Sequence, residues 1–245
     1  MKLFPLLGLA ISALFASHDV YVTFEVKALQ DATLMLPSPG VIVAIHATTS
    51  DHVKQGQLLL SLENSDKKEQ LRIAQSQLLG AQEQYLFAKA QYERYEKAKG
   101  AIDANTYERI KTDYLLKEQE LKGAKSALAL HQALLGQTIL KAPFDGIIAA
   151  KTVEIGDGVA ANSTPLFRLI SHTRKLVISF DSKYLSLVRT GQTLAYSIDG
   201  SDYSRKATLS KIYPSVDSKN RKAYAEAIIE TLEPGIFGDG YIRIP

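Results

Sequence analysis

The chain has 245 residues, 46% hydrophobic and 22% charged, enough apolar material for one domain or for two to three small ones and too much for a disordered tail. Its 29 basic and 26 acidic side chains are interspersed without a basic block, which argues against nucleic acid as a partner. Cysteine and tryptophan are absent, which excludes disulfides, thiol catalysis, a lipid-modified cysteine anchor and a tryptophan-lined sugar or cofactor cage.

Residues 1–17 read as an export signal. Lys2 supplies the positive start, Leu3 to Phe15 is an apolar run, and Ala16-Ser17 offers small residues for cleavage before His18-Asp19. The run is shorter than the ~20 residues that a membrane-spanning helix needs.

Two later stretches share one pattern. The first is Pro39-Gly40-Val41-Ile42-Val43, then Ser50-Asp51-His52-Val53, then Leu58-Leu59-Leu60-Ser61-Leu62. The second is Pro143-Phe144-Asp145-Gly146-Ile147-Ile148, then Gly156-Asp157-Gly158-Val159, then Leu166-Phe167-Arg168-Leu169-Ile170. In both, thirteen positions separate the Gly (Gly40, Gly146) from the Val (Val53, Val159). Gly and Pro suit tight turns, and the short Val/Ile/Leu runs suit half-buried strands. Neither half carries enough apolar surface to be stable alone, so the two are expected to form one small sandwich.

These two halves resemble a split lipoyl (biotinyl-lipoyl-like) domain. In a carrier domain of that kind the halves meet in a hairpin that presents a lysine for modification, and Glu63-Asn64-Ser65-Asp66-Lys67 is similar to that tip. Lys67 is therefore either an attachment point or an exposed residue in the first turn of a helix capped by Ser65 or Asp66.

The intervening residues favour the helix. Leu71, Ala74, Leu78, Ala81, Tyr85, Ala88, Tyr92 and Tyr95 alternate spacings of 3 and 4, a heptad seam. Gly100 breaks it. Asn105-Thr106-Tyr107-Glu108 reads as a capping box, with Asp103 as the alternative cap. The second seam runs Tyr107, Ile110, Tyr114, Lys117, Leu121, Ala124, Leu128, His131 and Leu135, interrupted by Lys117 and His131, and Gly136 ends it. Two such helices joined by a short turn run antiparallel. Their remaining faces read as polar, so the hairpin is expected to stand clear of the body.

Beyond residue 172, four alternating segments read as strands: Leu176 to Phe180, Thr193 to Ile198, Ala207 to Tyr213 and Ala223 to Ile229. Asp181 to Val188 reads as a short capped helix before a turn at Gly191, and Pro234-Gly235-Ile236-Phe237-Gly238 marks a turn before the last strand, Tyr241 to Ile244. With Val20 to Val26 these make an antiparallel barrel of about six strands. The expected fold class is α+β, elongated and modular: a split lipoyl-like β-sandwich interrupted by an antiparallel coiled-coil hairpin, plus a small antiparallel β-barrel. The expected domains are the barrel (18–33 and 172–245), the sandwich (34–63 and 137–171) and the hairpin (64–136).

That nested order resembles the membrane fusion protein family, the periplasmic adaptors of tripartite efflux and secretion systems. Pro234-Gly235-Ile236-Phe237 is similar to the family's Leu-x-Pro-Gly-Met-Phe signature. The resemblance implies a non-catalytic periplasmic adaptor, six copies to a funnel, bridging an inner-membrane transporter and an outer-membrane channel, without cofactor or metal. It points to a resistance–nodulation–division pump, with an ABC-type or type I secretion exporter and a carrier protein modified at Lys67 as alternatives. At the hairpin tip the family's Arg, Leu and Ser correspond to Arg94, Ala98 and Asp103, and Ala101 marks the turn; these four are the expected channel contacts. Gly40, Gly146, Gly156, Gly191 and Gly235 are the expected structural turns. Relative to the family, the chain is expected to lack a further membrane-proximal β-domain beyond the barrel.

No enzyme constellation competes. The histidines (His18, His46, His52, His131 and His172) are scattered, no Gly-rich phosphate loop or nucleophile elbow occurs, and Met is confined to Met1 and Met35.

Overall fold

The computed structural model describes residues 18–98 and 103–244; the expected export signal and Ala101 lie outside them. In chain order the first strands are β1 His18–Ala28, β2 Asp31–Leu34, β3 Gly40–Ile45, β4 His52–Val53 and β5 Leu58–Leu62, followed by the helices α1 Ser65–Lys97 and α2 Ala104–Gly136. The chain continues through β6 Ile139–Lys141, β7 Gly146–Lys151, β8 Gly158–Val159, β9 Phe167–Ser171 and β10 Arg174–Asp181. It ends with β11 Thr193–Ser197, β12 Arg205–Ile212, β13 Lys222–Ile229 and β14 Phe237–Ile244. Two compact units result, one from the residues before Ala32 and after Leu169, the other from the stretch between.

The first unit is a closed barrel with strand order β1-β10-β13-β12-β11-β14. Alternation along β1 explains its place: Val20, Val22, Phe24 and Val26 are buried, while Tyr21, Thr23, Glu25 and Lys27 face outward. The inward set packs with Leu176, Ile178 and Phe180 of β10, the alanines Ala223, Ala225 and Ala227 of β13, and Leu194 of β11. β1 pairs with β14 over its first part and with β10 over its last, which closes the barrel and leaves no open edge on this strand. β14 must come close to its neighbour: a Cβ on Gly240 would stand 2.5 Å from the Ala195 carbonyl oxygen and 2.9 Å from Leu194 Cδ1. The segment read as a short helix is a single 3₁₀ turn, Ser182–Tyr184, with the Asp181 carboxylate accepting from Lys183 N at 3.0 Å. Val188, fully buried in the barrel core, draws the chain back before a longer helix can form.

The second unit holds the sandwich and the helices. The sandwich has two four-stranded sheets, ordered β2-β9-β7-β4 and β6-β5-β3-β8. Each sheet mixes strands from both repeats. Gly40 and Val41 of β3 pair with Val159 and Gly158 of β8; equivalently, Gly146 and Ile147 of β7 pair with Val53 and His52 of β4. Leu59, Leu60 and Leu62 from the first repeat and Ile148, Leu166, Phe167 and Leu169 from the second share one core.

The repeat extends to turn chemistry. Thr48 N donates to Asp51 Oδ2 at 2.7 Å, and the matching Glu154 N donates to Asp157 Oδ2 at 2.8 Å. Gly156 has φ +97°, and the residue at the matching place, Ser50, has φ +74°. Gly191 and Gly235 also have positive φ, at +88° and +92°. Gly40 and Gly146 differ from expectation. They open strands β3 and β7, and neither is among the residues of positive φ. What restricts Gly40 is space, because a Cβ there would lie 3.3 Å from Leu62 Cδ1.

Serine in the left-handed region is strained where glycine is not. Ser50→Gly is therefore expected to leave stability unchanged or raise it by up to about 1 kcal/mol, and Gly156→Ala to lower it by about 1 kcal/mol. Urea denaturation of the two variants beside the parent checks both signs.

Candidate functional site

The candidate site is the helical hairpin inserted between the two repeats. α1 and α2 each have 33 residues, about 50 Å at 1.5 Å per residue. Every described position of both seams is buried or half-buried, from Leu71 to Tyr95 on α1 and from Tyr107 to Leu135 on α2. The polar seam residue Lys117 is accommodated by its long stem, which carries the ammonium out to Glu120 at 2.9 Å. Among the described residues, His131 Nδ1 is buried with no hydrogen-bond partner.

The two ends of the hairpin are built differently. Towards the turn, tyrosines form a ladder: Tyr92 stacks on Tyr114 with centroids 5.0 Å apart, Tyr85 lies 5.8 Å from Tyr114, and Tyr107 lies 6.2 Å from Tyr92. The Tyr107 hydroxyl donates to the Glu96 carboxylate and approaches the Tyr92 hydroxyl at 3.5 Å. The Tyr107 hydroxyl, partial burial and the Glu96 charge together push the Tyr92 phenol up to about 12. Towards the sandwich the seam turns from aromatic to aliphatic, with Leu71, Ala74 and Leu128 beside His131.

Arg94, Ala98 and Asp103 are all exposed where the helices approach the turn. Arg94 and Lys97 lie in the last turn of α1, where positive charge favours the helix dipole. Asp103 is the N-cap of α2: its carboxylate accepts from Thr106 N at 2.9 Å, and that bond holds its pKa below the usual range. The expected capping box at Asn105 is thereby displaced, with Asn105 inside the helix. At the other end α1 begins at Ser65, so neither Ser65 nor Asp66 is its cap. Asn64 holds the cap position without a capping bond, and the Glu63 carboxylate accepts from Ser65 N at 2.9 Å instead. Lys67 lies in that first turn, 3.0 Å from Asp66, not at a β-hairpin tip.

The outer faces of the helices are less polar than the sequence suggests. Leu79 is 65% exposed, Phe87 68%, Leu116 57% and Leu130 57%.

Residues 30–170, the sandwich with its inserted hairpin, match the family described as the CzcB-like barrel-sandwich hybrid domain. The chain belongs to the CzcB-like barrel-sandwich hybrid family. It is 27% identical over 217 residues to the cobalt-zinc-cadmium resistance protein CzcB of Cupriavidus metallidurans, an alignment covering 81% of this chain and 39% of that protein. It is 23% identical to the multidrug resistance protein MdtA of Klebsiella pneumoniae, covering 89% and 56%. The chain thus spans about two-fifths to just over half the length of these relatives. Its fold is similar to a MacA–MexA chimera carrying the Pseudomonas aeruginosa MexA α-hairpin, with TM-score 0.72 and 20% identity over 94% of this chain and 82% of the other. It is similar also to the membrane fusion protein Spr0693 of Streptococcus pneumoniae, with TM-score 0.71 and 14% identity over 92% and 99%.

Among the described residues, no group of three or more His, Asp or Glu is placed to hold a metal ion. A shallow hollow of 270 Å³ between equivalent loops of the two repeats is lined by Ile45, His46, Thr48, Asp51, Lys151 and Glu154. Its charged groups are engaged locally, Asp51 by Thr48 N and Lys151 by Glu154 and the Val153 carbonyl. No described helix is long and apolar enough to cross a membrane.

A buried imidazole nitrogen without a partner costs stability that an apolar side chain would recover. His131→Leu is expected to stabilise the hairpin by about 1–2 kcal/mol. Denaturation followed by helical circular dichroism checks this, with the variant's midpoint above the parent's.

Proposed function

We propose that this CzcB-like chain is a non-catalytic periplasmic adaptor that links an inner-membrane transporter of the resistance–nodulation–division type to an outer-membrane channel. The observation that carries this reading is the 33-residue helix pair inserted into a split sandwich, in a chain that also forms a six-stranded barrel. Such a pair has the length of an arm and the chemistry of a contact surface, and it holds no catalytic constellation. The relatives named for resistance to metal cations and to drugs support export as the process, with the cargo read by the transporter and not by this chain.

In this reading Arg94, Ala98, Ala101 and Asp103 form the channel-facing tip. Asp103 has a second task as the α2 cap, so its substitution would loosen the turn as well as change the contact. The exposed Leu79, Phe87, Leu116 and Leu130 support side-by-side packing of hairpins in a ring of six, because solvated apolar side chains on a long helix favour burial against a neighbour. The barrel is assigned to the transporter side. The turns at Gly156, Gly191 and Gly235 hold loops between strands, Gly40 serves as a close-packing position against Leu62, and Gly146 opens β7.

A photo-cross-linking residue at Ala98, used in the native bacterium with partners identified by mass spectrometry, tests the bridge. Capture of an outer-membrane channel protein is the expected result. Capture of only further copies of this chain would contradict it.

A further inference from the structure

The chain passes between sandwich and hairpin twice, from Leu62 to Ser65 and from Gly136 to Ile139. At the first crossing Asn64 stands where its side chain would ordinarily cap α1, yet it makes no capping bond. The Glu63 carboxylate serves Ser65 N, which leaves the Asn64 amide free to turn inward. Asn64 Nδ2 donates to Thr138 Oγ1 at 3.1 Å, and Thr138 Oγ1 donates in turn to the Leu135 carbonyl in the last turn of α2 at 2.7 Å. Both side chains are buried, Asn64 at 6% and Thr138 at 2% exposure. One polar chain therefore runs from the start of α1 through a hydroxyl to the end of α2.

Its position matters because the tyrosine ladder does not reach it. The tyrosine ladder lies at the far end, while His131 with its orphan nitrogen and the half-buried Lys67 lie at this end. Beneath the neck, Leu62 N donates to the Thr138 carbonyl at 2.9 Å, and β5 pairs with β6 up to Ser61 and Ile139. The strand ladder thus ends at Thr138, and beyond it the Asn64–Thr138 side-chain bond ties the two crossings to each other, beside the backbone bonds from Lys68 N to the Asn64 carbonyl and from Thr138 N to the Leu135 carbonyl that join each crossing to its own helix.

We infer that Asn64 and Thr138 form a polar latch that sets the stiffness of the joint between hairpin and sandwich. The inference stands on the neck geometry and does not depend on what the hairpin tip touches. A buried hydrogen bond at a crossing point is well suited to this: intact, it holds one hairpin direction; broken, it leaves two short single-chain crossings that can bend.

The test uses the full chain, which has no cysteine of its own, so two introduced cysteines can be labelled cleanly. Spin labels at Glu93→Cys on α1 and Thr49→Cys on the sandwich report the hairpin direction by pulsed electron paramagnetic resonance. In Asn64→Ala and in Thr138→Val the distance distribution is expected to broaden roughly twofold, and exchange of the α1 first-turn amides to quicken about tenfold. The double variant should be no broader than the singles, and Thr138→Ser, which keeps the hydroxyl, should match the parent. Unchanged distributions in folded variants would overturn the latch. So would equal broadening in Thr138→Ser, or loss of sandwich folding in Asn64→Ala and Thr138→Val alike, since the pair would then be a staple of the fold and not a joint.

Discussion

Each repeat of the sandwich completes the sheet of the other: β8 pairs with β3, and β4 with β7, through equivalent residues. That exchange is the constraint from which the rest of the unit follows. A repeat on its own would leave its longest strand unpaired on one side and Leu59, Leu60, Leu62 or Ile148, Phe167, Leu169 in water. Burial of such side chains is worth about 1.5–3 kcal/mol each, so the separated halves have no stable alternative to meeting. Whatever lies between them in sequence must leave and re-enter at one place. An antiparallel helix pair satisfies this condition at any length, because its two ends are always neighbours.

The helix pair in turn shows a division of labour along its axis. Alanines in the seam allow close approach, stacked tyrosines and the Tyr107–Glu96 bond occupy the far half, and the buried His131 interrupts the near half. A hydrogen bond between Asn64 and Thr138 stands where the hairpin meets the sandwich.

Much of this was legible in the sequence because it rests on periodicity. The spacings of 3 and 4 located the seam to the residue, and the thirteen-residue Gly-to-Val interval located the repeat. The αL positions were half legible: Gly156 announces itself, but Ser50 adopts the same φ under the control of the matching Asp51 turn, and nothing in a serine reveals that. Gly40 misled because glycine signals either a turn or a close approach, and sequence alone does not separate the two. Asp103, the alternative cap of α2, is the cap observed, whereas the α1 cap was misread for a related reason. Asn64, Ser65 and Asp66 are all good capping residues, and Asn64 takes the cap position while its buried amide turns to the distant Thr138. At the tip, Arg94 and Ala98 could be located in sequence as the end of a heptad, but their exposure follows from the fold.

The central claim is that the sandwich is one domain closed by its two repeats and that the hairpin is an insertion into it. Replacing residues 65–136 by a short glycine-containing turn and measuring amide hydrogen exchange in β3, β5 and β7 tests it most directly. The account predicts protection in these strands close to that of the parent, since the exchanged strands and the shared core remain. Loss of protection there, with the barrel strands still protected, would show that the helices hold the repeats together and would contradict the account.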